Sequence, residues 1–74
     1  MQVKLFGMIA EKAGTDMIDI STPTVFALKR ELEERIEGLS TLSYAIAVDR
    51  RVTNTDDELK GSEEIALLPP FAGG

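Results

Sequence analysis

Apolar and polar residues alternate in four stretches of this chain, and such alternation is typical of half-buried β-strands. The stretches span residues 1–6, 15–21, 43–49 and 63–69, and Val52-Thr53 is interpreted as the start of a further short strand. We predict that the first two stretches form a hairpin. The residues predicted to face the core are Met1, Val3, Leu5, Ile18, Ile20, Tyr44, Ile46, Val48, Ile65 and Leu67.

Helical spacing replaces the alternation between residues 24 and 37. Thr24 is a good N-cap residue, and Gly38 suits the left-handed position just after a helix. Charged side chains occupy most of the other positions, which leaves one apolar stripe for the core. That stripe consists of Val25, Leu28, Leu32 and Ile36.

The connections carry turn residues and polar runs. Residues 7–14 lie between two glycines and predict a wide turn or one short helical turn, with a left-handed exit at Gly14. Arg50-Arg51 is interpreted as a solvated turn, and residues 54–62 as a polar connection that Leu59 plugs into the core. Leu39 and Leu42 are expected to cover the end of the core from a loop.

Hairpin, helix and further strands, in that order, predict an α+β fold of two layers. The first and last strands are both strongly apolar, so we predict that they pair in parallel at the centre of a mixed sheet packed on one main helix. A chain of 74 residues holds one domain. We assign residues 1–69 to this domain and residues 70–74 to an extended C-terminal tail.

Composition disfavours several classes of function. The chain has no cysteine and no histidine, so it lacks a thiolate nucleophile and the commonest general base and transition-metal ligand. A net charge of -5 disfavours nucleic acid, whose phosphates need a basic surface. We expect no bound metal and no catalysis by the chain alone. No apolar run approaches the roughly 20 residues of a membrane span, and without a leader pattern we expect a cytoplasmic protein.

The C-terminal residues carry the strongest functional signal. Pro69 and Pro70 end the last strand, because proline cannot donate to a sheet ladder, and they favour an extended exit. Gly73 and Gly74 make the terminus thin, and from Pro70 onward the chain can span roughly 17 Å. The terminal carboxylate is ionised at neutral pH. These features suit a reactive tail that enters another protein's active site; the alternative is a frayed chain end.

A partner surface is predicted beside this tail. Phe6 and Leu68 fall out of phase with the core faces of their strands, and Val52 and Phe71 are further candidates for an exposed apolar patch. The alternative is that the short segment 7–14 covers Phe6 and Leu68. The predicted partner-binding residues are Phe6, Val52, Leu68, Pro69, Pro70, Phe71 and Ala72.

Acidic residues form a second candidate surface. Asp56, Asp57, Glu58, Glu63 and Glu64 are expected near the tail, where they could dock onto basic residues of a partner. A solvated acidic loop is the alternative. Their spacing does not match a regular metal-binding pattern.

The order of elements and the ending resemble the ubiquitin-like β-grasp fold and, within it, the family of molybdopterin synthase small subunits. The matching segments are Phe6-Gly7, Thr24-Val25 with Leu28 and Leu32, Ala47-Val48-Asp49, and the ending from Glu64 to Gly74. The Pro-Pro-x-x-Gly-Gly ending is the most specific of them. The chain departs from the family at Ala10, where many members have Arg, at Asp49, where many have Asn, and at Ser62-Glu63-Glu64, where many have Gly-Asp-Glu.

This resemblance implies a sulfur carrier. A ubiquitin-activating-type enzyme would use ATP to adenylate the Gly74 carboxylate, and a sulfur donor enzyme would convert it to a thiocarboxylate. The tail, with Gly73 in a narrow channel, would then deliver sulfur to cyclic pyranopterin monophosphate inside the large catalytic subunit of molybdopterin synthase. The implied assembly is a heterotetramer with two large subunits, and the carrier itself binds no cofactor.

Two other functions use the same terminus. The chain could carry sulfur to another product, such as the thiamine thiazole, or could be a ubiquitin-like modifier joined through Gly74 to lysine side chains. The Pro69-Pro70 ending favours molybdopterin synthase over the thiazole pathway.

Overall fold

Two strands from opposite ends of the chain lie side by side in the middle of the sheet. The computed structural model describes residues 1–70. Its strands are β1 (Gln2–Leu5), β2 (Met17–Asp19), β3 (Ala45–Val48), β4 (Arg51–Thr53) and β5 (Ile65–Leu68), in the spatial order β2-β1-β5-β3-β4. β1 and β5 pair in parallel, and β2, β3 and β4 are antiparallel to their neighbours. The predicted mixed sheet and its central parallel pair are confirmed.

The core lies between one face of this sheet and the main helix, α2 (Val25–Arg35). All four residues of the predicted stripe are at most 3% exposed, so α2 buries the face that its sequence indicated. Leu59 is 8% exposed and joins the core as predicted. The sheet contributes chiefly Val3, Leu5, Ile46, Ile65 and Leu67.

Three hydrogen bonds hold the start of α2 in place. The Thr24 hydroxyl accepts a hydrogen bond from the Ala27 amide at 3.3 Å, which confirms the predicted N-cap. The Phe26 amide donates to Asp56 Oδ1 at 2.9 Å, and the Val25 amide donates to the Asp57 carbonyl at 3.0 Å. The polar connection therefore satisfies amides that the first turn leaves free.

Segment 7–14 is more helical than the sequence analysis predicted. It forms α1 (Gly7–Ala13), nearly two turns long, and ends at Gly14, whose φ of 73° is the predicted left-handed exit. Ile9 is fully buried, and this contact with the core stabilises a helix that would be too short to form alone.

Four predicted elements have different boundaries in the structure. α2 ends at Arg35 because Ile36 is extended, and Gly38, at φ 86°, precedes a 3-10 turn (Leu39–Thr41) instead of following the helix directly. The β3–β4 turn consists of Asp49 and Arg50, at φ 50° and 70°, whereas Arg50-Arg51 was expected. The strand predicted at 15–21 shortens to Met17–Asp19, and the one at 43–49 to Ala45–Val48.

Candidate functional site

The central strand β5 ends in the two prolines that precede the predicted tail. Pro69 is half-buried and Pro70 is exposed. Pro69 lies against Gly7: a Cβ added to that glycine would stand 3.3 Å from Pro69 Cγ, and Gly7 has a φ of +54°. Glycine therefore allows the start of α1 to approach the end of β5 closely. The tail begins at a point that the sheet fixes from both sides, since β5 pairs with β1 and β3.

Four of the predicted site residues lie outside the described part of the chain. They are Phe71, Ala72, Gly73 and Gly74. Their assigned roles, and that of residues 70–74 as a reactive tail, stay predictions.

The sheet surface away from α2 is largely apolar, and we call it the outer apolar face. The strand registers place one row of side chains across the sheet, from Met17 through Lys4, Ala66 and Ala47 to Val52. Leu68 pairs with Ala45 in the next row, and Phe6 continues β1 at the level of Leu68. The outer apolar face therefore comprises Phe6, Met17, Ala45, Ala47, Val52, Ala66 and Leu68.

The predicted partner-binding residues of the sheet all belong to this face. Phe6 is 45% exposed and Val52 is 58% exposed, whereas Leu68 is half-buried. Segment 7–14 does not cover the Phe6 ring, because α1 begins just after it and the Phe6 carbonyl accepts from the Ile9 amide at 3.1 Å. Alanines lie between the larger side chains, and their short side chains make the middle of this face flat. Such a face is typical of a docking surface.

Met17 and the three alanines of this face were not predicted from the sequence. Met17 is 40% exposed and lies opposite Lys4 in the β1–β2 register. The alternation along each strand could have indicated them, because a residue next to a core position points to the opposite face of the sheet. Alanines carry little weight in a search for exposed apolar residues, so the continuity of the face became visible only with the register.

A charged cluster borders the outer apolar face at the end farthest from the tail. Glu64 accepts from Lys4 Nζ at 3.3 Å and from Arg50 Nε at 3.4 Å. The hydrogen bond and charge of Lys4, followed by those of Arg50, hold the pKa of Glu64 below its usual value. Glu63 and Glu64 precede β5, at the end of the strand opposite to Pro69, and the expectation that these two residues lie near the tail stays a prediction.

The side chains of Asp56 and Asp57 have structural partners. Asp57 accepts from the hydroxyls of Thr53 and Thr55, each at 2.7 Å, and these bonds hold its pKa below the usual value. Asp56 accepts from a helix amide, as described above. Docking by these residues stays a prediction, and the contacts of Asp56 and Asp57 are those of a loop that fastens α2.

Two negative findings apply to residues 1–70. In that range, no three His, Cys, Asp or Glu side chains come together in an arrangement that could hold a metal ion. Neither helix in the described part of the chain has the length and apolar character needed to cross a membrane.

Comparison with known proteins identifies the family. Residues 3–74 match the ThiS family, so the match includes the whole sheet, both helices and the Gly-Gly ending. The chain belongs to the ThiS family. This ThiS-family chain is 33% identical over 81 residues to the molybdopterin synthase sulfur carrier subunit of Dictyostelium discoideum, with 99% of the chain and 94% of that relative covered.

Solved structures agree with this assignment. A molybdopterin converting factor subunit 1 from Pyrococcus furiosus has a TM-score of 0.84 at 28% identity, with 95% of each chain covered. The small archaeal modifier protein 1 from Methanosarcina acetivorans has a TM-score of 0.79 at 26% identity, covering 99% of this chain and 94% of that one. The ubiquitin-like β-grasp fold expected for this ThiS-family chain is confirmed.

Proposed function

We propose that the chain is a sulfur carrier that acts as the small subunit of molybdopterin synthase. The observation that carries this proposal is the sequence that follows β5, the central strand of a ThiS-family fold: it runs through Pro69-Pro70 to Gly73-Gly74. The relative from Dictyostelium discoideum bears the name of such a carrier subunit. The chain's own side chains need perform no acid–base step, because the reacting atom is the last backbone acyl carbon.

Adenylation is the first step. A carboxylate is a poor electrophile, so an adenylyltransferase of the ubiquitin-activating type joins the Gly74 carboxylate to the α-phosphate of ATP and releases pyrophosphate. A sulfide-level nucleophile from a sulfur donor enzyme then attacks the acyl carbon. A C–S bond forms, the bond to AMP breaks, and AMP leaves with the electron pair. The product is the Gly74 thiocarboxylate.

Sulfur transfer follows in the large catalytic subunit. The thiocarboxylate sulfur attacks a carbon of cyclic pyranopterin monophosphate, and a C–O bond at that carbon breaks as the oxygen leaves with the electron pair. Water then cleaves the acyl–sulfur bond, which leaves the sulfur on the pterin and regenerates the Gly74 carboxylate. ATP is consumed by the activating enzyme, and the carrier holds no cofactor. We further propose that the outer apolar face docks these partners and that two carriers and two large subunits form a heterotetramer.

Intact-mass analysis tests this function. The chain is incubated with ATP, the activating enzyme and the sulfur donor of its source organism, and the C-terminal fragment is then sequenced by mass spectrometry. The proposal predicts a gain equal to one oxygen replaced by one sulfur at Gly74, and co-purification with a pterin-handling large subunit. An unchanged mass under conditions that load a related carrier would contradict it.

A second function is favoured by one structural neighbour. The similarity to small archaeal modifier protein 1 supports a ubiquitin-like modifier whose Gly74 forms an isopeptide bond with lysine. Ladders of conjugates in cells would support this function, and a thiocarboxylate without conjugates would support the carrier alone. Co-purification with a thiazole-forming enzyme would instead support the thiamine pathway.

A further inference from the structure

A groove lies on the helix side of the sheet and shares only Ala45 with the outer apolar face. It runs between the start of α2 and the β3–β4 pair and encloses about 230 Å³. Five of its eight lining residues are apolar or aromatic, of which Val25 and Ile46 are nearly fully buried, and one lining residue is charged. The lining residues are Val25, Phe26, Lys29, Tyr44, Ala45, Ile46, Thr53 and Asn54.

Phe26 supplies an apolar wall that the fold does not use. Its side chain is 54% exposed, whereas its neighbour Val25 is 3% exposed and belongs to the core. The Phe26 amide is held by Asp56 Oδ1 at 2.9 Å, so the first turn of α2 presents the ring from a fixed backbone. An exposed aromatic ring in the wall of a groove is typical of a contact that a partner completes.

Lys29 supplies the only formal charge among the lining residues. It follows Phe26 by three positions and therefore lies on the same side of the helix. Its ammonium is 5.7 Å from the centre of the Tyr44 ring, and within residues 1–70 no carboxylate oxygen lies within 4.0 Å of it. The nearby Glu33 carboxylate accepts from the Tyr44 hydroxyl at 2.7 Å. The groove thus offers a cation to an incoming carboxylate.

The adjoining strand offers backbone groups to an extended segment. β4 is the last strand of the sheet on this side, and Val48 pairs with Arg51 across a two-residue turn. In such a hairpin the pair next to the turn is hydrogen-bonded, so the N–H and C=O of Val52 point away from β3. A segment paired with Val52 would direct its neighbouring side chains toward α2, where Phe26 lies.

We propose that this groove binds an extended segment of a partner protein in which a large aliphatic side chain is followed, two positions later and therefore on the same face of the strand, by an acidic residue. The aliphatic group packs against Phe26, the carboxylate pairs with Lys29, and the backbone adds to the edge of β4. Apart from Ala45, which belongs to both, the groove and the outer apolar face lie on opposite sides of the sheet. Both can therefore be occupied at once, and the inference does not depend on the sulfur-carrier function.

Peptide titration followed by NMR tests the proposal. The full chain, labelled with ¹⁵N, receives the peptide acetyl-Gly-Val-Ile-Asp-Asp-Gly-amide. We expect saturable amide shifts confined to residues 25–29, 44–46 and 52–54. Phe26→Ala should weaken binding about tenfold. Phe6→Ala, which removes an exposed ring from the other side of the sheet, should leave binding unchanged.

The charge contact has its own control. For the wild type, a peptide with Asn in place of both Asp residues should bind about fivefold more weakly than the acidic peptide. For Lys29→Gln, the two peptides should bind with equal affinity. Of these variants, Lys29→Glu should have the lowest affinity for the acidic peptide. If Phe26→Ala fails to fold, this loss of affinity in Lys29→Glu is the test of the proposed groove.

Three results would overturn the proposal. They are the absence of shifts at millimolar peptide, shifts confined to the outer apolar face, and equal affinity for the acidic and amide peptides. Shifts of residues 25–29 that depend on protein concentration alone would assign the groove to a second copy of the chain and would also contradict it.

Discussion

The two faces of the sheet are both apolar, but only one of them stabilises the fold. On the inner face Val3 and Ile65 are fully buried against α2, whereas on the outer face Phe6 and Val52 are 45% and 58% exposed. The same period-two alternation produces both surfaces. Burial on the inner face lowers the free energy of the folded chain, while the outer face lowers it only when a partner covers it.

β5 shows the division within a single strand. Leu67 is fully buried and its neighbour Leu68 is half-buried on the opposite face. Leu67→Ala should cost about 2–5 kcal/mol in the free energy of unfolding, because it leaves a cavity in the core. Denaturant unfolding measures the loss. Leu68→Ala is the matched control and should lose less than half as much; equal losses would show that the outer face is part of the core.

Substitutions at Gly7 test whether its contact with Pro69 holds the start of the tail in place. Gly7→Ala places a Cβ 3.3 Å from Pro69 Cγ and also forces a side chain into a left-handed backbone. Gly14→Ala has a similar φ with no atom within 4 Å, so it measures the backbone strain alone, about 1–2 kcal/mol. Thermal unfolding should show the larger loss for Gly7→Ala, and NMR shifts should extend to Pro69. If the two variants lose the same stability, the packing of Pro69 does not hold the start of the tail.

Partner binding should distinguish two exposed phenylalanines. Phe6→Ala should weaken binding of the large synthase subunit about tenfold, or roughly 1.4 kcal/mol, because it removes an aromatic contact from the outer apolar face. Phe26→Ala, on the helix side, should leave this affinity unchanged. Calorimetry with the purified subunit measures both. Equal weakening by the two variants would contradict a docking role specific to the outer face.

The smallest expected effect concerns the charged border of the outer face. The folded-state pKa of Glu64 is lowered by Lys4 and Arg50, so its contribution to stability is present above its unfolded pKa and is lost as pH falls through the folded value. Melting temperature should therefore decrease below about pH 4, and less steeply in Glu64→Gln. Glu34→Gln, at an exposed helix position, is the control and should follow the wild-type curve.

Sequence patterns predicted the helix and strands whose apolar residues recur with a regular period. Helical spacing placed α2, and alternation placed the strands and their central parallel pair. The Asp49-Arg50 turn was missed because neither residue is the glycine that such a turn usually contains. The length of α1 was missed because the buried side chain of Ile9, rather than local propensity, stabilises it.

Individual residues of the outer apolar face were predictable from the sequence, but the continuity of the face was not. Phe6, Val52 and Leu68 were found as apolar residues out of phase with the core, and the register then placed them on one face. The continuity of that face depends on alanines brought together from β3 and β5, which no local pattern indicates. The helix-side groove was not predictable either, because Phe26 and Tyr44 meet only through the packing of α2 on the sheet.

Sulfur loading of Gly73→Ala, measured by intact mass beside the melting temperature, tests most directly whether the terminal acyl group is the reactive part of the molecule. An added methyl group in a narrow partner channel should abolish the oxygen-to-sulfur mass gain seen for the wild type, with the melting temperature unchanged. Wild-type loading of Gly73→Ala would contradict the account.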